Sequence, residues 1–390
     1  MRCVDRYEQI YERSPDAVSF CPYRISPLGA HIDHQLGKVN GLAIDKGIHI
    51  AYGLKKNGIV ELQSLNFPKR AQFHINAVPQ EKTGDWADHL RGAVKALSKH
   101  HHLHNGLCGV IEGSLPIGGL SSSAAVIIAF LSALCKVNGI HLEPFEMIMA
   151  AKAAENDYVG VSCGKLDQSC EVLSKKDHLL YLDTQNDTYE LIKTNPAMKP
   201  YKIAIFFSGL ERSLATSGYN LRVDECKAAA YALQAFSGTE YKKYKDTWLR
   251  DVPVKIYKRY KYKLPDVWRL RAEHYYSESA RAETGAELWR KGDLDTYGKL
   301  VFESGRSSIK NYECGSPELK KLYEIIAQTD GVYGGRFSGA GFKGCCMALI
   351  DPAYAEEIEE NVGKKYLEAF PELKGKYSFH LCESADGVEL

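Results

Sequence analysis

The chain has 390 residues, 45% of them hydrophobic and 25% charged, an ordinary composition for a globular protein large enough for two domains. Fifty basic residues balance 49 acidic ones, so bulk electrostatics favour neither nucleic acid nor an anionic membrane as partner, and a small molecule is the default ligand. The first residues, MRCVDRYE, carry no apolar signal core, no apolar run has membrane-spanning length, and 11 cysteines read as reduced thiols; the expectation is a cytoplasmic protein.

In chain order, the pattern predicts an early helix over residues 7–13, Pro-punctuated extended chain over 19–28 and a strand near 47–54. Leu90, Val94 and Leu97 share one helical face, which predicts a helix over 86–97. Residues 107–112 read as a short strand, 124–135 as a buried helix and 144–158 as another helix. LLYL at 179–182 and KIAIFF at 202–207 read as strands; the polar stretch 183–195 between them is the expected junction of domains 1–190 and 191–390. Residues 223–302 are helical in pattern, and their Tyr/Lys-rich piece, 241–263, reads as an amphipathic, solvent-facing helix. The HHHLH run at 100–104 reads as a polar loop or helix end, since no Cys or carboxylate lies at ligand spacing. An apolar strand is expected at 345–350, with Cys345 and Cys346 on opposite faces.

Three segments carry chemistry. GSLPIGGLSSSAA at 113–125 joins a predicted strand to a predicted helix, so unpaired N–H groups and the helix dipole would attract an anion there. The alternative is a Ser-capped core helix after a glycine turn. PYRISPLGAHIDH at 22–34 holds Arg24, which can stabilise transferring charge, and His31 and Asp33, a donor and an acceptor suited to vicinal hydroxyls; a surface turn with a local ion pair is the alternative. GVYGGRFSGAGFKG at 331–344 reads as a flexible loop whose backbone approaches a ligand closely.

In this order, and with AENDYVGVSCGKLDQ at 154–168 between them, the segments resemble the GHMP sugar and isoprenoid kinases, and within them the galactokinase group. The resemblance implies an α+β, two-domain fold: an N-terminal nucleotide-phosphate-binding α/β domain, a C-terminal ferredoxin-like α+β domain and an active site in the cleft between them. It implies ATP and Mg2+ as cofactors, with Gly118, Gly119, Leu120, Ser121, Ser122 and Ser123 at the phosphates and Ser123 and Glu155 on the metal. Asp167 would face the reacting hydroxyl beside Arg24, and Ala30, His31, Asp33, Gly164 and Tyr219 would meet the sugar. Trp86 matches a position associated with the adenine pocket, although a core Trp would look the same.

One position departs from the group. Galactokinases carry a Glu just before the loop His, where it accepts from the sugar C6 hydroxyl; here that residue is Ala30. A Glu about 4 Å from a C6 carboxylate would cost roughly 4 kcal/mol at an effective dielectric near 20, so Ala favours a uronic acid. For galactose, losing the charged acceptor costs about 1.5–3 kcal/mol. Residues 22–35, 217–226, 271–275, 311–315 and 336–346 look more like plant galacturonokinases than ordinary galactokinases. The implied reaction is ATP-dependent phosphorylation of the anomeric hydroxyl of D-galacturonate; the alternatives are galactose as substrate, or a silent sugar-binding regulator that keeps the fold. His34, Gln35, Arg222 and Lys165 are the candidate partners for a substrate carboxylate; for Lys165 the alternatives are lowering the pKa of Asp167 or pointing outward as a solvated lysine.

Overall fold

The longest strand, β2 (Lys38–Lys55), is the axis of the first half of the chain. It pairs with β1 (Ala17–Ile25), β5 (Gly106–Gly113) and β6 (His178–Asp183). Strands β3 (Ile59–Ser64), β4 (Arg70–His74) and β7 (Thr188–Lys193) extend the sheet outward, and β12 (Ser384–Ala385) brings it to eight. The computed structural model describes residues 1–210, 218–239 and 242–390; Ser217 and Tyr241, at the ends of two segments singled out above, lie outside them.

Helix α3 (Ser122–Asn138) is apolar on nearly every side, and a helix of that kind must be central. It packs on β1 and β2 and against α2 (Asp88–Ser98), α4 (Pro144–Ala153) and α5 (Leu166–Leu173). The first helix, α1, runs over Arg2–Tyr11 rather than 7–13, because Glu12 turns left-handed at φ 52° and its N–H closes on the Glu8 carbonyl. The helix expected over 144–158 also divides: α4 ends at Ala153 and the chain widens into a π-helical turn, Ala154–Val159. Such turns recur at functional sites.

The second half is a four-stranded antiparallel sheet in the order β11 (Ser378–Cys382), β8 (Lys202–Phe207), β10 (Cys345–Ile350), β9 (Val332–Phe337). Helices α6 (Tyr219–Ser237), α7 (Val254–Tyr260), α8 (Asp266–Lys291), α9 (Leu294–Lys310) and α10 (Pro317–Ile326) lie between β8 and β9, and α11 (Ala355–Ala369) between β10 and β11. The last strand beside the first, and the first beside the third, is the ferredoxin-like arrangement. Strand β10 is buried on both faces, which explains its unbroken apolar run. Cys345 and Cys346 are both buried, and all 11 cysteines are free thiols.

Three expectations change. The supposed junction 183–195 contains β7, an edge strand with mostly exposed polar side chains, so the division at 190 falls inside a strand; the chain passes between sheets after Lys193. The glycine segment 331–344 is a hairpin rather than one loop, since its first half is β9. The Tyr/Lys-rich piece is not one amphipathic helix: α7 covers only Val254–Tyr260 among short 3-10 turns, half of its described residues are exposed, and Tyr257 turns inward to stack on Tyr276 at 4.2 Å. His100, His102 and His104 are exposed, and no metal-binding cluster of His, Cys, Asp or Glu occurs among the described residues. No helix among them is long and apolar enough to cross a membrane.

Candidate active site

Strand β1 meets a bulge where Pro22, which has no N–H for the ladder, is followed by a register shift at Tyr23. Just beyond it, Arg24 is buried. Its Nε donates to Asp167 Oδ1 at 2.8 Å, Nη2 lies 2.8 Å from the same oxygen, and Nη1 donates to the Gly119 carbonyl at 3.0 Å. Burial opposes the Arg24 charge, and the Asp167 and Glu171 carboxyls outweigh it. Asp167 stands in the first turn of α5 with its side chain 28% exposed, so this carboxylate opens onto a cleft.

The cleft is lined from both halves of the molecule: Arg24, Ala30, His31 and Asp33 from the first loop, Gly118, Gly119 and Ser121–Ser123 from the glycine–serine turn, then Glu155, Asp167 and Tyr219, with Phe337, Gly339 and Ala340 from the hairpin. Ser121 precedes α3 at φ 64°, and its side chain makes no capping hydrogen bond, so the reading of a Ser-capped helix does not hold. Gly119, at φ 89°, passes so close to the hairpin that a Cβ there would lie 2.7 Å from Cys345 Sγ. Leu120 is the exception in the turn: its side chain is core, and only its carbonyl takes part, accepting from the Arg24 N–H at 3.3 Å.

Glu155 projects from the π-helical turn and is 4% exposed. Burial pushes its carboxyl up to about 7, helped by Asp167 and opposed by the Ser123 hydroxyl, Cys163 and Gln168. A buried acid beside a serine hydroxyl, at the edge of a cleft, suits Mg2+, which takes one or two carboxylates and completes its shell with phosphate and water.

The loop after β1 is buried from Ser26 to Gln35, and remote side chains satisfy its backbone. Gly29 N–H donates to Glu278 Oε1 at 2.8 Å, and His274 Nε2 donates to the Ala30 carbonyl at 3.0 Å. His274 Nδ1 must then accept, from the Ser307 hydroxyl at 2.9 Å, and burial pushes this ring down to about 4. His31, at φ 65°, stacks on Tyr312 with centroids 4.3 Å apart; burial, with Arg336 nearby, holds it well below the usual imidazole range, so it is neutral. Asp33 accepts from Leu166 N–H at 3.2 Å, and burial with the Asp167 charge pushes it up to about 6. Gly164 backs onto it, and a Cβ there would lie 2.2 Å from Asp33 Oδ2.

A second, more apolar pocket adjoins the first at Ser122, Ser123, Val161 and Tyr219. Trp86 lines it, half-buried, stacked on Phe67 at 6.2 Å and donating to the Lys69 carbonyl at 2.8 Å, which is not the setting of a core Trp.

Three matches follow the geometry. Residues 88–175 fit the GHMP kinases N terminal domain, 286–368 the GHMP kinases C terminal domain and 5–54 the galactokinase galactose-binding signature. A galacturonokinase of Arabidopsis thaliana is 40% identical over 96% of this chain and 93% of its own. The chain belongs to the GHMP kinase family. A galactokinase of Roseiflexus sp. is 31% identical to this kinase, covering 98% of it and 95% of the relative. Lactococcus lactis galactokinase complexed with galactose superposes with a TM-score of 0.89 at 25% identity, over 99% of this kinase and 98% of that chain. Methanococcus jannaschii mevalonate kinase shares the fold, with a TM-score of 0.65 at 16% identity over 95% and 98%. This kinase is therefore an ATP-dependent sugar kinase of the galactokinase and galacturonokinase type.

None of the residues expected to hold a substrate carboxylate lines the cleft. Lys165 pairs with Asp187, Arg222 donates to the Tyr312 and Glu313 carbonyls, His34 meets Tyr312 Oη at 3.1 Å and Gln35 accepts from Leu249 N–H at 3.1 Å. Sequence reasoning gave no part to Cys163 and Gln168, which flank Glu155, or to Ser26 on the cleft wall.

Proposed function

We propose that this kinase transfers the γ-phosphoryl group of ATP to the anomeric hydroxyl of D-galacturonate. The observation that carries the substrate is Ala30. Its carbonyl turns away onto His274, so at this corner the cleft wall presents a methyl group beside the neutral His31 ring instead of a carboxylate. The similarity to galacturonokinase supports the same reading.

In this reading Asp167 accepts the hydrogen bond of the anomeric hydroxyl, and Arg24, fixed by that carboxylate and the Gly119 carbonyl, offsets charge on the moving phosphoryl group. The free N–H groups at the start of α3 and the hydroxyls of Ser122 and Ser123 receive phosphate oxygens. Ser123 and Glu155 would hold Mg2+, which supplies charge neutralisation across the phosphates. Asp33, His31 and Tyr219 hold the sugar, with Gly164 packed behind Asp33, and the Trp86 pocket takes the base.

Galactose is the second reading, supported by the likeness to the galactose-bound protein. Initial rates with each sugar at matched concentration decide between them. A preference for galacturonate is expected, and Ala30→Glu should lower it by about a thousandfold; a wild-type preference for galactose overturns the proposal.

A further inference from the structure

Arg336, the arginine of the glycine-rich segment, has no part in the chemistry described so far. It lies on β9 next to Phe337 of the cleft wall and is fully buried, as is Glu278 on α8; Arg336 Nη1 stands 3.4 Å from Glu278 Oε1. The rest of its fork is spent on neighbours: Nε donates to the Phe337 carbonyl at 3.0 Å, Nη1 to the Ser304 hydroxyl and Nη2 to the Ser308 hydroxyl at 3.0 Å. Arg281 holds the other oxygen of the same carboxyl, with Nε donating to Oε2 at 2.8 Å and Nη2 at 2.7 Å from it. Among the described residues neither arginine has another carboxylate partner. Two guanidiniums therefore share one carboxylate. Arginine keeps its proton in proteins. Burial opposes the Glu278 charge, but Arg281 and Arg336 outweigh it and hold this carboxyl at about 2, so the cluster carries one positive charge in excess. A buried charge of this kind is costly unless something balances it.

The excess lies behind the corner of the cleft at Ala30. Glu278 Oε1 accepts from the N–H of Gly29, the residue before it. Ser308, whose hydroxyl Arg336 holds, accepts through its carbonyl from the Cys314 thiol at 3.4 Å, and Cys314 Sγ lies 3.8 Å from His31 Nε2. The charge reaches that ring: after burial, Arg336 is the largest influence holding His31 below the usual imidazole range. The carboxylates of the cleft are turned elsewhere, Asp33 to the Leu166 N–H and Asp167 to Arg24. We propose that Arg336 is a specificity-determining residue, whose unbalanced charge acts through the cleft wall on a substrate carboxylate seated against Ala30, His31 and Phe337. Direct contact is not needed, because a buried charge is screened far less than one in water. The inference rests on the galacturonate reading and supplies the cation that His34, Gln35, Arg222 and Lys165 do not, since none of them lines the cleft.

The test compares D-galacturonate with D-galacturonamide, which has the same shape and no charge, and with galactose. Wild type should show a kcat/KM for galacturonate about tenfold or more above that for galacturonamide. R336M keeps an unbranched apolar stem and leaves Glu278 balanced by Arg281. Its kcat/KM for galacturonate should fall about tenfold, while the values for galacturonamide and galactose and the KM for ATP stay within about twofold of wild type. R336K restores the charge without the fork and should recover most of the preference. Loss of a merely structural contact would lower all three sugars alike.

Should R336M fail to fold, R281M serves: it removes the excess charge from the less buried end of the cluster, where the side chain is 12% exposed, and should lower the galacturonate-to-galacturonamide ratio about threefold. A ratio left unchanged by the folded variant, an equal fall for all three sugars, or the same loss in R336K as in R336M overturns the proposal. Failure of the galacturonate reading itself would show separately, as a wild-type preference for galactose.

Discussion

At the glycine–serine turn the groups facing the cleft are mostly backbone: the N–H ends of α3 and two glycines, with the Gly119 carbonyl taken by Arg24. Across the cleft, the loop from Ser26 to Gln35 is held by side chains from the second half of the molecule, Glu278 on Gly29, His274 on Ala30, Tyr312 on His31. The first surface takes its phosphate-facing groups from one short stretch of sequence, braced by Arg24 and the hairpin, and suits any phosphate chain. The second depends on contacts across 244 and 249 positions, so a change in α8 can alter which sugar fits without touching the phosphoryl-transfer groups.

Breaking the pair at the centre should have the largest effect. Asp167→Asn is expected to lower kcat by about 10³-fold, in the range of a general acid–base group, with ATP binding retained when measured by calorimetry. Next comes Asp33, whose carboxyl is pushed from 3.8 to about 6 by burial. Its contribution to the native state is complete below about pH 3.8 and lost as pH rises through about 6. Asp33→Asn, which can still accept from Leu166, should thus be neutral in thermal unfolding at pH 3.5 and stabilising by roughly 3 kcal/mol at pH 8. A gain independent of pH would count against the raised carboxyl.

The comparison sharpens with two smaller changes. His274→Ala leaves the Ala30 carbonyl buried without its donor, at about 2 kcal/mol, so the sugar KM should rise about 30-fold and the KM for ATP by less than twofold. Gly119→Ala does the reverse, forcing a Cβ against Cys345 Sγ at φ 89°, and should raise the KM for ATP about tenfold with the sugar KM unchanged. Equal effects on both substrates in either variant would show that the two surfaces are not separable.

The glycine–serine turn was legible because strand, glycines and apolar helix follow one another within a few residues. The identities of Arg24, Glu155 and Asp167 were legible through the family resemblance, and the structure brings all three to one cleft. The support behind the sugar loop was not: His274 and Tyr312 sit in helical segments and a turn where nothing local marks them as neighbours of Ala30 and His31. Strand β7 was hidden by its exposure, since an edge strand with polar side chains has the composition of a linker. Strand β9 was hidden by Gly334 and Gly335, which read as loop, although Gly334 lets α9 pack backbone to backbone at Gly298 and Gly335 faces Ile326.

Strand β12 has a mechanical consequence. After β11 the chain returns to the first sheet, where Ser384 and Ala385 pair with Ile44 and Ala43 of β2. The polypeptide therefore passes between the sheets after β7 and again after β11. The two halves are therefore joined by two covalent crossings rather than one, in addition to the packing of α8 on β2.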